Sequence, residues 1–273
     1  MSKTAASIDS RNREYWNELC GTQLAKSLGV TDGSPSSLKR FDDWYMNFYP
    51  YLRHHIPFGR LSGKMVLEVG LGYGTVTQKL AEAGANYHGL DIAEKPVQMA
   101  NHRLRQMGLA GDARKGSILA APYGDEVFDI VVAIGCYHHT GNLKWALDET
   151  WRMLKPGGEA ILMVYYSYSY RRWLCYPCST LRYFLWDKFD VGTPLSSSEK
   201  ERAHYDTGAG GAAPETVFVS GAAMDRMTRH WSSRAYRLEN IGAESLLKNI
   251  PRKKALHYLG PWIGLDLYCH LIK

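Results

Sequence analysis

The stretch Lys64-Met-Val-Leu-Glu-Val-Gly-Leu-Gly-Tyr-Gly-Thr75 constrains this chain more than any other. Met65 to Val69 is a short apolar run with one carboxylate, Glu68, near its end, and Gly70, Gly72 and Gly74 follow before a helical pattern opens at Thr75. Such a run, a glycine turn and a helix make a buried parallel strand feeding a crossover. Glycines at alternate positions let the backbone take positive φ and leave no Cβ in the path of a ligand. The turn is built for close approach.

The next apolar run, Ala85-Asn-Tyr-His-Gly-Leu-Asp-Ile92, ends on Asp91, about twenty residues beyond Gly70 as in a dinucleotide-type βαβ unit. That spacing sets Asp91 at the carboxyl edge of the neighbouring strand, where a carboxylate accepts from both hydroxyls of a ribose. A nucleoside ligand follows. A dinucleotide fingerprint would read G-x-G-x-x-G, with its pyrophosphate over the helix N-terminus, whereas here the spacing is G-x-G-x-G and Thr75 stands at the sixth position. Asp129 to Ile134 is a β-branched run that reads as a fourth strand buried on both faces. It delivers Gly135-Cys-Tyr-His-His-Thr140 to the same edge of the sheet as the glycine turn, where open α/β sheets bind ligands.

Four segments now stand in order over residues 60 to 167: Val66-Leu-Glu-Val-Gly-Leu-Gly-Tyr-Gly74, His88-Gly-Leu-Asp-Ile92, Phe128 to Thr140 and Leu154-Lys-Pro-Gly-Gly158. Together they resemble the class I S-adenosylmethionine-dependent methyltransferases. The resemblance implies an α/β, Rossmann-like seven-stranded mixed sheet, mostly parallel with an antiparallel last strand, helices on both faces and an added helical cap. It implies S-adenosyl-L-methionine as cofactor and S-adenosyl-L-homocysteine as product. Carried onto this sequence, it expects cofactor contacts from Glu68, Gly70, Gly72, Tyr73, Gly74, Asp91, Ile92, Ser117, Ile118, Ile134 and Gly135. Glu68 and the turn would hold the methionine end and Asp91 the ribose. In the family the residue after the third strand contacts the adenine edge, commonly through an Asp; here Ser117 stands there, a departure, although a hydroxyl can still donate or accept one bond. Asp112 is an alternative position for that acid, at the cost of a shortened strand. The methyl acceptor is not implied, because this fold serves many chemistries.

At 273 residues and 45% apolar content the chain fits one α/β domain with additions. The expected organisation is a helical N-terminal cap over 1–60, a cofactor-binding core over 61–167, a helical and loop substrate lid over 168–233, and final strands over 234–273. No early run has the make-up of a secretory signal and no stretch of 18 apolar residues occurs, so a soluble, cytoplasmic protein is expected. Five irregularly spaced cysteines fit reduced thiols better than a disulfide framework. Net charge is +6 and the longest basic run is Arg252-Lys253-Lys254, which argues against nucleic acid as partner.

Outside the core, residues 1 to 9 read as disordered, Arg11 to Leu19 as a helix, and a second helix is expected from Ser36 or Ser37 as N-cap through Phe41, Trp44, Tyr45 and Phe48 until Pro50 interrupts it. In the resembling family such a segment folds over the cofactor; equally, its aromatics could simply pack on the sheet. Tyr165 to Phe189 is rich in aromatics, with arginines and Pro177 among them, and reads as two helices forming a hydrophobic roof over the acceptor. The alternative is a helix lying at a membrane surface, a peripheral contact that aromatic and basic composition suits. Val191 to Pro214 reads as a glycine-rich lid or linker, and Tyr236 to Ile241 and Leu265 to Ile272 as antiparallel sixth and seventh strands, with Leu265, Leu267, Cys269 and Leu271 on one face.

Methyl transfer from a sulfonium is an in-line displacement, so the protein mostly orients, desolvates and, where needed, deprotonates the acceptor. His138 and His139 follow the fourth strand and titrate near neutrality, so either could act as the base; alternatively, a histidine there orders the loop, and Tyr137 is a rival wall residue. Cys175-Tyr-Pro-Cys178 lacks a second ligand pair, so no metal is expected. The leading expectation is a methyltransferase for a small-molecule acceptor of natural-product type. Its rivals are a nicotinamide-dependent oxidoreductase and a non-catalytic sensor or partner subunit that keeps the cofactor pocket.

Overall fold

The computed structural model describes residues 3–18, 22–189, 197–208, 210–242 and 249–273. The N-terminal segment is helical: α1 (Lys3–Tyr15), α2 (Thr22–Ser27), α3 (Pro35–Phe48) and α4 (Leu52–His55) precede β1 (Met65–Val69). The core continues through α5 (Thr75–Glu82), β2 (Asn86–Asp91), α6 (Glu94–Gln106), β3 (Asp112–Lys115), β4 (Phe128–Ile134), α7 (Leu143–Met153) and β5 (Leu154–Tyr165). Then come α8 (Tyr170–Cys175), α9 (Pro177–Lys188), α10 (Glu199–Tyr205), the hairpin β6 (Thr207–Gly208) and β7 (Gly211–Ala212), α11 (Gly221–Met227), β8 (Ser233–Glu239), α12 (Arg252–Tyr258), α13 (Gly260–Ile263) and β9 (Asp266–Ile272).

Seven strands form one sheet in the order β3-β2-β1-β4-β5-β9-β8, with the reversal between β1 and β4. The two central strands bury both faces, and alternate residues go to opposite layers. Leu67 and Val131 pack towards α7 and α11 in one cluster with Leu147 and Met224, while Val66, Ile130 and Val132 pack towards α4 and α5 in the other with Leu52 and Leu80. Continuous apolar runs, rather than alternating ones, are what a sheet covered on both sides requires. Leu267, Cys269 and Leu271 of β9 share the first of these layers, and Leu265 is buried just before the strand.

The structure corrects several sequence expectations. Residues 1 and 2 of the segment expected to be disordered lie outside the described residues; 3 to 9 are helical, with Ile8 and Asp9 buried. The second long helix begins earlier than expected: Ser34 is its N-cap, accepting from the Ser37 amide, and Pro35 occupies the first turn, where its missing N–H costs nothing. Since β9 is antiparallel to both β5 and β8, the edge strand β8 runs with the parallel set and only β9 opposes it. Part of the expected 191–214 lid lies outside the described residues. The rest is ordered, for Ser198 and Glu201 close a reciprocal capping box at the start of α10.

Candidate active site

A cavity opens at the carboxyl edge of β1, β2 and β4, beside the strand-order reversal. Its floor is the turn after β1. Gly70 and Gly74 hold φ of 80° and 74° there, and a Cβ on Gly70 would stand 2.6 Å from the Cβ of Cys136. Glycine at 70 therefore both permits the turn and lets the β4 loop close against it. Of the cofactor contacts expected from the sequence, Glu68, Gly70, Gly72, Tyr73, Asp91, Ile92, Ser117, Ile118, Ile134 and Gly135 line this cavity. Gly74 does not; it sits behind the turn as the cap of α5, with the Arg103 side chain where its Cβ would be.

Two carboxylates are sunk into the floor. Asp91 accepts from the amides of Leu71 (2.8 Å) and Ala93 (2.9 Å), so it staples the glycine turn to β2. Burial raises its pKa to about 6 even though those amides favour the charged form. One oxygen of Glu68 accepts from the hydroxyls of Thr77 (2.6 Å) and Tyr87 (2.7 Å), and burial lifts its pKa to about 7. Both acids keep wall positions while bracing the turn.

The turn is clamped from the N-terminal side. Asp42 of α3 receives two bonds from the Arg103 guanidinium, at 2.8 and 2.9 Å, and a third from the Thr75 hydroxyl at 2.6 Å. Arg103 Nε donates to the Tyr73 carbonyl at 2.7 Å, and Phe41 stacks on the Tyr73 ring at 4.4 Å. Arg103 is fully buried. A buried ion pair is tolerable only when its remaining donors and acceptors are satisfied, as this one's are.

The cap also supplies a wall. Asp9, Asn12 and Trp16 of α1 and the residue that follows it, with Phe41 and Tyr45 of α3, line the cavity. Asp9 is 5% exposed, and burial raises its pKa against the opposing effects of the nearby Ser117 hydroxyl and of Arg13. Asn12 donates to the His139 carbonyl at 2.7 Å, and Trp16 packs on the His139 ring at 4.8 Å. Phe41 and Tyr45 belong to the segment for which a cofactor cap was one expectation, whereas Asp9, Asn12 and Trp16 were not singled out from the sequence. The signal existed: positions 9, 12 and 16 share one helical face.

The two histidines part company. His139 is on the cavity wall. Its Nδ1 lies 2.7 Å from the Glu215 carbonyl, which can only accept, so Nδ1 carries a proton. Nε2 faces Asp206 Oδ2 at 3.6 Å, and Asp206 Oδ1 accepts from Tyr165 at 3.0 Å. Burial raises the Asp206 pKa, with His139 opposing. His138 points the other way: it is fully buried, packs on Tyr165 at 4.2 Å, and its pKa is pushed well down by burial and by His139. The expectation that His138 could be the base is corrected, because its ring does not reach the cavity.

The aromatic roof is corrected as well. No residue from 168 to 189 lines the cavity. Cys175 and Cys178 are exposed free thiols, and among the described residues no group of three or more His, Cys, Asp or Glu side chains is placed to hold a metal ion.

The sheet order, the turn and the buried acids define a class I methyltransferase fold. Residues 67–162 match the family model described as a methyltransferase domain. A ubiquinone biosynthesis O-methyltransferase from Dechloromonas aromatica is 38% identical over 104 residues, 37% of this chain and 44% of that relative. A demethylmenaquinone methyltransferase from Tropheryma whipplei is 30% identical over 105 residues, 38% of this chain and 43% of that relative. The match thus spans less than half the length of these curated relatives. A solved S-adenosylmethionine-dependent methyltransferase from Mesorhizobium loti superposes with a TM-score of 0.55, covering 82% of this chain and 97% of that one at 14% identity, a likeness of fold. Among the described residues no helix is long and apolar enough to cross a membrane.

Proposed function

We propose that this chain transfers the methyl group of S-adenosylmethionine to a small molecule, through a cleft between the glycine turn and the α1–α3 cap. The observation that carries the reading is the placement of Asp91 and Asp9, two buried carboxylates on the wall of one cavity floored by Gly70 and Gly72. The cleft fits the cofactor on its own chemistry: a Cβ-free turn for close approach, and acceptors for ribose hydroxyls and an adenine amine. In this reading Asp91 holds the ribose, Gly70, Gly72 and Tyr73 face the methionine end with Glu68 beneath them, and Ile92, Ile118 and Ile134 sandwich the base. Asp9 with Ser117 takes the adenine edge, supplying from α1 the carboxylate missing after β3.

When bound, the cofactor supplies a methyl carbon made electrophilic by its sulfonium. The residues of the chain exclude water, align the acceptor and take its proton. His139 is the candidate base on the wall; its Nε2 is buried against the Asp206 carboxyl and would have to turn towards the cleft to take that proton. The acceptor oxygen gains the methyl group as the sulfonium becomes a thioether, so charge and atoms balance.

The named relatives act in ubiquinone biosynthesis and on demethylmenaquinone. Trp16, Phe41, Tyr45 and Tyr137 supply aromatic walls suited to a planar ring, so a small phenol- or quinone-type acceptor is the class we favour. Isothermal titration tests the cofactor: S-adenosylhomocysteine should bind with no heat from NADH, and the reverse result rejects the reading. Transfer of label from methyl-labelled cofactor to a panel of phenols tests the acceptor. Cofactor binding with no turnover across the panel would instead favour a non-catalytic module.

A further inference from the structure

Helix α9 is inside out. Its buried positions are Thr180 and Tyr183, with Asp187 half-buried beside them, while Leu181, Phe184, Leu185 and Phe189 fall together on the solvent side. Phe189 is 69% exposed. The inward face explains itself. Thr180 donates to the Arg172 and Tyr176 carbonyls, and Asp187 accepts from Tyr168, Ser220 and Arg226. The outward face has no such account, and contiguous exposed apolar surface of this kind marks an interaction site.

The patch does not end with α9. Trp173 and Leu174 of α8 are exposed too, and α8 is anchored at Tyr170 to α12 and α13, where Tyr258 is 67% and Trp262 79% exposed. All four helices lie at the carboxyl edge of the sheet, the edge that carries the cleft: α8 follows the end of β5, and α13 leads into β9 where it pairs with that end. Their charges have one sign. Arg182, Lys188, Lys253 and Lys254 are exposed, and the one acid on these four helices, Asp187, is turned inward and consumed.

We propose that α8, α9, α12 and α13 form a docking face for an anionic lipid surface, with the aromatic and leucine side chains entering the interface and the four cations at headgroup level. Aromatic side chains, an outward apolar helix face and flanking lysines are the pattern of a segment that lies on a membrane without crossing it. A second copy of this chain docked face to face would set one positive rim against another. An anionic headgroup layer answers both halves of the surface.

Co-sedimentation of the whole chain with phosphatidylcholine vesicles, alone or mixed with phosphatidylglycerol, tests this. The protein should pellet with the mixed vesicles and be released by salt. Replacing Phe184 and Phe189 together by serine should lower partitioning about tenfold or more, since two large apolar side chains leave the interface. Reversing Lys253 and Lys254 to glutamate should weaken binding about tenfold and flatten its salt dependence. Thermal melting reports whether each variant folds. It does so whether or not S-adenosylhomocysteine binds, so failure of the methyltransferase reading would not be mistaken for failure of this one. The proposal is overturned if the native chain ignores both vesicle types, or if the variants bind as well as it does. It is also overturned if the native chain self-associates in the ultracentrifuge and the Phe variant does not.

Discussion

The sharpest consequence of the cleft concerns Asp9, which lies far from the glycine turn in sequence yet lines the same cavity. Replace it by alanine. The side chain is 5% exposed, and burial rather than a neighbouring charge dominates its raised pKa, so the carboxylate has already lost most of its water before any ligand arrives. A hydrogen bond from an adenine amine to such a group is charge-assisted, about 1.5–3 kcal/mol, or roughly ten- to a hundredfold in the dissociation constant for S-adenosylhomocysteine. The cap should survive the change, because Asn12 still donates to the His139 carbonyl and Ile8 remains packed against Gly141.

A loss of affinity alone would not identify the contact, so the ligand must be varied too. S-inosylhomocysteine carries a carbonyl where the adenine has its amine, and against native Asp9 it sets acceptor facing acceptor. Isothermal titration of both ligands with both proteins closes a cycle. The native chain should prefer the adenosyl compound by the full factor, and Asp9→Ala should prefer it little or not at all. Equal discrimination by the two proteins would refute the assignment, however much affinity the variant lost. The pH dependence has a definite sign. A raised pKa means that Asp9 protonates above the ordinary carboxylate range, so discrimination should fade on acidification earlier than for an exposed aspartate.

Three further predictions follow from the same geometry. Arg103→Ala strands Asp42 as a buried charge and frees the Tyr73 carbonyl, so urea denaturation should show a loss of about 3–5 kcal/mol; a loss below about 1 kcal/mol would mean that the pair is no clamp. Burial raises Glu68 to about 7 and Asp91 to about 6, so the folded chain holds more protons than the unfolded one between the ordinary carboxylate range and neutrality. Stability should therefore fall as pH rises through that window, and cofactor binding, which favours the charged acids, should release protons, seen as buffer-dependent heats between pH 6 and 7. Asp206→Asn should lower kcat with little change in S-adenosylhomocysteine affinity, whereas His138→Phe should leave turnover largely intact if it folds; the opposite ranking would make His138 the base.

The strands were legible because burial leaves a periodic trace. Met65 to Val69 reads as apolar without alternation because layers lie on both faces of the sheet, and Asp91 was legible because the length of a crossover fixes where its carboxylate emerges. Asp42 was not. Its partners Thr75 and Arg103 are far away in sequence, and nothing local distinguishes it from Asp43 beside it, which pairs on the surface with Lys39.

Helix α9 shows a different limit. A period of 3.6 separates two faces but does not say which one is inside, and a hydrophobic roof over the acceptor requires the apolar face to point inward. It was turned outward because Asp187 and Thr180 have partners waiting in the fold. Ser117 shows the converse: no acid stands where the resembling family commonly has one, and no reasoning along the strand points to Asp9, which lines the same cavity. Asp9 lines the cavity from a helix that precedes β1, outside the 67–162 match to the family model. A contact defined by chemistry can migrate between elements while its place in the cleft stays put. If the adenine edge is read by an acid from the cap, then docking of α1 and binding of the cofactor are linked, and removing residues 1–16 should abolish cofactor affinity while the sheet, whose clusters take nothing from α1, still folds.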